Sequence, residues 1–409
     1  MTPFPLPLTE IFGHWGSYVV YALIGIAFGY VLEISGFGNS KKLAAQFYFK
    51  DMTVLKVMFG AIIVAMVLIF SAAAIGLLDY NLLWVNPTYL WPGIVGGLIM
   101  GFGFIIGGFC PGTSLVSVAT GKIDGLFFVL GVFFGIFMFG ETVQYFEDFW
   151  YSSFMGRYTL PQLFDLPVGV VVLGVVLMAL FMFFMAEKFE AKYGDMDPND
   201  APKWRYFAAA GIAMFGVVLI VIGQPTVADR WARVQEERQA QLDEGAVQIH
   251  PAEMLDKLHD RKLRVQMIDV RNEADYNLFH ILDAQRADIE ELETMAPALI
   301  EQPANTLFVV MSNDEAAATE AWKVLVAESV PNVYILEGGV NNWIDTYAAE
   351  EFKLACEVCS ENDELRYDFT AALGAQYLAS EPNPHDFEIE YVPKVKMELK
   401  RAPSSGGCG

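Results

Sequence analysis

Gly107-Gly108-Phe109-Cys110-Pro111-Gly112-Thr113-Ser114, continued by Gly121, Asp124 and Gly125, stands between two long apolar runs at 89–109 and 125–146. About 20 apolar residues are enough to cross a bilayer. Irregular backbone at membrane depth is tolerated only where protein buries it or where it lines a cavity. Glycines, a proline, two hydroxyls and a thiol in that position therefore predict a selective path through a membrane, with one thiol inside it. Four further runs have spanning length, at 17–34, 55–78, 167–186 and 205–223, which makes six in all. Trp84, Trp91, Trp150, Tyr151 and Trp204 fall near their ends, where interfacial aromatics belong. Gly96, Gly97, Gly101 and Gly103 line the third run and predict close helix packing.

The composition divides along the chain. The whole is 54% hydrophobic yet carries a net charge of −23. Residues 1–224 hold the apolar runs, and most of the acids follow. That predicts a membrane domain joined to an acidic soluble part, and it argues against nucleic acid or anionic lipid as partners of the latter. The four cysteines, Cys110, Cys356, Cys359 and Cys408, do not make a disulfide framework. Residues 1–16 contain no Lys or Arg and no small-residue cleavage site, so no cleavable signal peptide is expected.

Orientation follows the basic residues. Lys41, Lys42, Lys50 and Lys56 surround the first connection, Lys122 lies in the third, and Lys188, Lys192, Lys203 and Arg205 surround the fifth. These odd connections are expected to face the cytoplasm. Six spans then put the soluble domain on the outer side of the membrane. Arg230 and Arg233 pull the other way, and a re-entrant segment would reverse the assignment.

Residues 225–245 read as a charged linker helix. Beyond it, short apolar runs at 265–270, 307–311 and 333–336 alternate with helical patterns, as in a parallel sheet flanked by helices. The expected organisation is a membrane domain at 1–224, a linker at 225–245, a small α/β domain at 246–350 and an extension at 351–409. The extension is expected to carry one helix near 364–379 and a flexible tail ending in Gly-Gly-Cys-Gly.

Proline suits the first position of a helix, so Pro111 predicts a helix start with Cys110 at the cap. Thr113, Ser114 and the free N–H groups of the first turn would then face one spot, and a helix N-terminus attracts anions. A thiolate there would repel an anion, so the expected species is a neutral S–H that donates to it or exchanges sulfur with it. A small cysteine packed in a core is the alternative. The segment resembles the YeeE/YedE family of thiosulfate and sulfur-compound transporters. A second stretch agrees: Gly25-Ile-Ala-Phe-Gly-Tyr-Val-Leu-Glu33, Gly36-Phe-Gly, Lys41-Lys-Leu-Ala-Ala-Gln-Phe47, Asp51 and Val54-Leu-Lys-Val-Met58. The resemblance covers 17–186 and implies an inner-membrane protein that passes thiosulfate along cysteines at a central constriction, with Cys110 as the matching cysteine. Larger members contain two such halves, so this chain is expected to work as a homodimer. Lys41 and Lys42 are candidate anion attractors.

Met267-Ile-Asp-Val-Arg271, Glu273, Tyr276, His280 and Val333-Tyr-Ile-Leu-Glu-Gly-Gly-Val-Asn-Asn-Trp343 resemble a rhodanese-like domain. That resemblance places the catalytic cysteine at Ser312, or at Met311 with a shift of one. A serine hydroxyl cannot carry a persulfide. The loop continues Asn313, Asp314, Glu315, whose carboxylates would repel thiosulfate. The domain is therefore expected to be inactive, with Asp269 and Arg271 in structural roles. A hydrolase built on Ser312 and His280 is the remote option.

Cys356-Glu-Val-Cys359 has the spacing of a redox pair, and no second such pair completes a zinc site, so neither metal nor cofactor is expected. Gly406-Gly-Cys-Gly409 resembles the swinging arm of the sulfur-carrier subunit of the Sox thiosulfate-oxidation system, which makes Cys408 a candidate sulfur carrier. The expected function is transport of thiosulfate or a related inorganic sulfur anion past Cys110, Pro111, Gly112, Thr113, Ser114, Gly107 and Gly108, with the soluble domain binding, docking or gating. A sulfur-carrier or sulfur-oxidation protein is a candidate partner, besides the bilayer. The alternatives are a membrane-tethered sulfurtransferase using Cys408 or the Cys356/Cys359 pair, and a non-transporting sulfur sensor or scaffold.

Overall fold

A computed structural model describes residues 4–194, 203–348, 350–355, 363–387 and 389–397. Cys356, Cys359 and Cys408 lie outside the described residues. The chain separates into two compact units, one containing the apolar helices up to Gln224 and the other the chain from Pro225 together with Asn81–Trp84.

The first unit contains helices α1 (Leu8–Ile34), α2 (Ser40–Ala45), α3 (Thr53–Ala74), α4 (Leu90–Gly107), α5 (Pro111–Ala119), α6 (Ile123–Thr142), α7 (Glu147–Trp150), α8 (Leu160–Phe164), α9 (Val168–Tyr193) and α10 (Trp204–Ile222). Among the described residues, six stretches are long and apolar enough to cross a membrane: Leu8–Ile34, Thr53–Ala74, Leu90–Ala119, Ile123–Tyr145, Val168–Tyr193 and Trp204–Ile222. The third is broken. Gly108 takes φ 71°, a left-handed conformation that glycine adopts without strain, and it ends α4 before α5 begins.

Helices α3, α9 and α10 pack together around Ile63, Val67, Val172, Val176, Ala179 and Leu219. Gly169 allows this, since a Cβ there would stand 2.9 Å from the α10 backbone at Ile220. One end of the trio is clamped by Glu190 of α9. Its carboxylate pairs with Lys56 and accepts the Met52 N–H at 2.5 Å, just ahead of α3. The glycines of α4 behave otherwise than expected. At Gly93, Gly96, Gly97, Gly101 and Gly103 a Cβ would meet no atom within 4 Å, so no neighbouring helix among the described residues approaches closely at these positions.

The second unit begins with α11 (Val227–Asp243), whose Thr226 and Asp229 form a reciprocal cap. This helix is not a free linker. Trp231 meets Trp322 edge-on at 6.0 Å, and Arg230 pairs with the buried Glu328. The elements that follow are β1 (Gln248–Ile249), α12 (Pro251–His259), β2 (Arg264–Asp269), α13 (Glu273–Leu278), β3 (Gln285–Arg286), α14 (Leu292–Ile300), β4 (Thr306–Met311), α15 (Ala316–Ala327), β5 (Val333–Leu336) and α16 (Gly339–Tyr347). The sheet is wholly parallel in the order β1-β5-β4-β2-β3. Every residue of β4 and β5 is buried, as a sheet covered on both faces requires.

The extension departs from expectation. No α-helix forms at 364–379, only a 3-10 turn at Leu378–Ser380. Instead β6 (Lys353–Leu354) pairs with β7 (Tyr367–Asp368), followed by irregular chain. Tyr367, Tyr377 and Ala379 join the core beneath one sheet face, and Phe369 packs against them. Trp343 Nε1 donates to Ala379 O at 2.8 Å. Tertiary burial of aromatic rings outweighs the local helical preference. Farther on, the buried carboxylate of Glu253 accepts the N–H groups of Lys394 and Val395, both at 2.9 Å.

Candidate functional site

The break after α4 creates the membrane site. Cys110 is the N-cap of α5, with extended backbone at φ −100°, ψ 169°, and Pro111 is the first helical residue. Cys110 N–H donates to Thr113 Oγ1 at 2.9 Å, and Thr113 N–H points back at Cys110 Sγ at 3.5 Å. Thr113 Oγ1 also stands 3.3 Å from the sulfur. The two residues thus form a capping box in which a thiol holds the place usually taken by a serine or threonine hydroxyl. Phe109, Thr113 and Ser114 are buried, whereas Cys110 is a free and half-exposed thiol. Of the two expected hydroxyls only Thr113 reaches the sulfur. Ser114 Oγ turns into its own helix and donates to Pro111 O at 2.7 Å.

The surroundings hold α5 in place. Phe128 of α6 lies over Gly107, where a Cβ would stand 2.4 Å from the ring. Gly125 lets α6 approach α5, where a Cβ would stand 2.5 Å from Ser117 and 3.1 Å from Ser114 O. The first connection packs on the same motif. Ser40 lies against Gly108 and donates to Asp124 at 2.9 Å, and Lys122 Nζ donates to Gly38 O at 2.7 Å. Lys42 is held by Ser35 O at 3.2 Å, and Lys41 is exposed. Sequence reasoning missed Ser117, which is buried with a hydroxyl that has no hydrogen-bond partner. It was legible in principle, because 110, 113, 114 and 117 share one face at i, i+3, i+4 and i+7.

The second candidate is the loop after β4. Asp269 and Arg271 form a buried pair, with Nη2 2.6 Å from Oδ2, and Arg271 Nη1 reaches Asn313 Oδ1 at 3.4 Å. Ser312 is 1% exposed, and its hydroxyl accepts the Ala318 N–H at 3.1 Å. His280 stacks on Tyr276 at 3.9 Å with Nδ1 2.8 Å from Tyr276 O, so serine and histidine do not form a hydrogen-bonded pair. The two loop carboxylates are each engaged from within the domain, and Glu315 also lines the groove at the loop. Asp314 pairs with Arg366 at 2.8 Å and accepts from Asn341 at 3.1 Å, while Glu315 accepts the Gly338 N–H at 2.6 Å. The turn Gly338-Gly339 makes that approach feasible, since a Cβ on Gly339 would stand 2.0 Å from Asp314 O. The loop N–H groups of Asp314 and Ala317 instead hold the carboxylate of Asp363, at 2.5 and 2.7 Å. A groove of about 590 Å³ opens there, with three carboxylates in its lining, those of Glu315, Glu320 and Asp363, beside Ile289, Ala316, Ala317 and Thr319.

Apolar spans around a short helix that presents a thiol, in one chain with a parallel α/β unit, define a polytopic membrane protein with a soluble module. Residues 34–242 match the family described as Sulphur transport, about half of the chain, so the protein belongs to that family. Residues 250–346 match the rhodanese-like domain. No curated protein matches the chain. The protein is therefore a multi-pass, sulfur-related transporter with an appended rhodanese-like domain.

Proposed function

We propose that the membrane unit moves a small sulfur oxyanion, thiosulfate foremost, past the Cys110 thiol, and that the rhodanese-like domain binds sulfur species without converting them. The observation that carries this reading is the thiol at the N-cap of α5. It combines a helix N-terminus that attracts anions with a soft sulfur able to contact or exchange the sulfane sulfur of the substrate. Family membership supports the substrate class. Cys110 and Thr113 then contact the anion, while Ser114, Gly107, Gly108 and Gly112 set the backbone that presents the thiol. Ser312, buried and hydrogen-bonded inward, supports a domain without sulfurtransferase activity.

Uptake of sulfane-labelled thiosulfate into proteoliposomes tests the reading. Wild-type protein should accumulate label, and Cys110→Ser and Cys110→Ala should fall to background. Uptake unchanged in both variants would remove the thiol from the path. Cys408→Ala in the same assay asks whether the tail supplies sulfur to it.

The protein is further proposed to sit in the inner membrane with the soluble domain on the outer side. The contact of Lys122 with Gly38 gathers basic residues of the first and third connections at one end of the spans, which supports reading that end as cytoplasmic. An impermeant protease added to intact spheroplasts should release the soluble domain. Its survival there, with digestion only in inverted vesicles, would place it in the cytoplasm.

A further inference from the structure

A charge buried among membrane-spanning helices is costly, and one that persists there is held by a partner and has a use. Among the described residues of the membrane unit, Glu190 is the one buried side chain that ionises, at 5% exposed; the other buried polar side chains there are Ser17, Thr113, Ser114 and Ser117. It stands near the end of α9, inside a stretch of spanning length. Both its oxygens are spent on α3. Oε1 accepts the N–H of Met52, the N-cap of that helix, at 2.5 Å, and Oε2 pairs with Lys56 in the first turn. Phe49, ahead of α3, meets Phe189 and Tyr193 at 5.1 and 6.2 Å, and Gly194 brings the end of α9 so close that a Cβ there would stand 2.5 Å from Lys50 O. Between the two contacts of the carboxylate lies Val54, buried with Phe37, Leu43 and Phe109, and Phe109 immediately precedes Cys110. One turn of helix therefore ties the buried carboxylate to the thiol motif. Holding α9 against α3 does not by itself call for charge, since apolar residues of similar volume replace buried ion pairs at little or no loss of stability.

We propose that Glu190 is a proton-binding site of the transport cycle, and that the membrane unit couples entry of its anion to entry of a proton bound there. An anion moving inward works against a negative-inside membrane potential, so its accumulation calls for a cation that travels with it; the assignment rests on the transport of a sulfur oxyanion proposed for this unit. The step is a proton transfer alone. A proton from water adds to Oε2, the ion pair with Lys56 breaks, and Lys56, partly exposed, keeps its own proton and its charge in solvent. Release of the proton restores the pair. While the pair is closed, α3 is pinned at its start and Val54 is fixed beside Phe109; when it opens, that turn is free to repack against the Cys110 motif. The neighbouring charges are engaged elsewhere. Asp51 Oδ1 accepts the Thr53 N–H at 2.8 Å, Glu187 pairs with Arg205 of α10 at 2.8 Å, and Lys188 and Lys192 lie over the rings of Phe184 and Tyr193.

Full-length protein in proteoliposomes, with the membrane potential clamped at zero and a pH dye in the lumen, gives the test. In wild type an inward proton gradient of about one pH unit should raise accumulation of labelled thiosulfate about tenfold per coupled proton, and added thiosulfate should acidify the lumen. Glu190→Gln keeps an acceptor for Met52 but cannot titrate. It should lose both responses, while exchange of labelled for unlabelled thiosulfate, which needs no net proton movement, continues. Should that variant fold poorly, Glu190→Gln with Lys56→Gln leaves no unpaired buried charge and should show the same split. Glu190→Asp should restore the gradient response. A gradient response that survives in Glu190→Gln would overturn the assignment. Exchange and accumulation lost together in both glutamine proteins would make Glu190 a structural clamp only. Wild type that exchanges thiosulfate but ignores the gradient would remove the coupling and leave transport standing, whereas wild type without exchange would take down both readings.

Discussion

Cys110 does two jobs that a single substitution can separate. As N-cap it closes a box with Thr113, and as a sulfur it offers chemistry no hydroxyl has. Serine is a preferred N-cap, so Cys110→Ser should keep the thermal stability of wild type while uptake is lost. Cys110→Ala should lose about 1 kcal/mol of stability as well. A serine variant that unfolds as readily as the alanine variant would show that the sulfur's size, not its cap role, holds α5. The position of this thiol was legible because proline after a cysteine and the glycines around it allow few backbones. The inward turn of Ser114 was not, because a hydroxyl one residue on can bond its own helix as well as a ligand. Asp363 was not legible either. It lies 50 residues beyond Asn313, and only the folded extension brings the two together.

Among the elements, the central strands were the easiest to read, since β4 and β5 are nearly continuous apolar runs, buried throughout as a doubly covered sheet requires. The extension was the hardest. Its residues 371–379 are rich in helix formers, but Arg366-Tyr-Asp-Phe369 alternates as a strand does, and Tyr367, Phe369 and Tyr377 are taken into a cluster with Phe279 and Phe352. That docking has a signature in pH. Burial pushes the Tyr367 phenol above its ordinary range, and its bond to Asp345 adds to the shift. Burial does the same to Tyr347. A phenol whose folded pKa exceeds its unfolded value gives stability that is intact below about pH 10 and lost as pH rises through the folded value, because the unfolded chain ionises first. Urea denaturation of the soluble unit, followed by tryptophan fluorescence in the full-length protein, should therefore show stability falling above that point. Tyr367→Phe should make the alkaline fall shallower, and an unchanged slope would mean that the phenol is not held neutral by the fold.

At the scale of the whole molecule the membrane unit is unevenly packed, and this bears on what the chain needs in order to work. Helices α3, α9 and α10 share a buried cluster, but α1, α4 and α6 leave small-residue faces open. Gly25 and Gly29 on α1, Gly93, Gly97 and Gly101 on α4, and Gly131 and Gly135 on α6 are each spaced by four, and a Cβ at any of them would meet nothing within 4 Å. Lipid gains nothing from such a spacing, whereas a second helix does, because small residues let backbones approach closely. Three open faces of one kind on the helices that flank the Cys110 motif are what a path shared between two copies would present. We therefore propose the homodimer as the transporting unit. Gly97→Leu should leave the monomer folded, since the added side chain enters open space, but should shift the protein to monomer in detergent and abolish uptake with Cys110 intact. Light scattering on the purified complex reads the first effect and proteoliposomes the second. A Gly97→Leu protein that remains dimeric and active would take α4 out of the interface, and a wild type that is monomeric yet transports would confine the whole path to one chain.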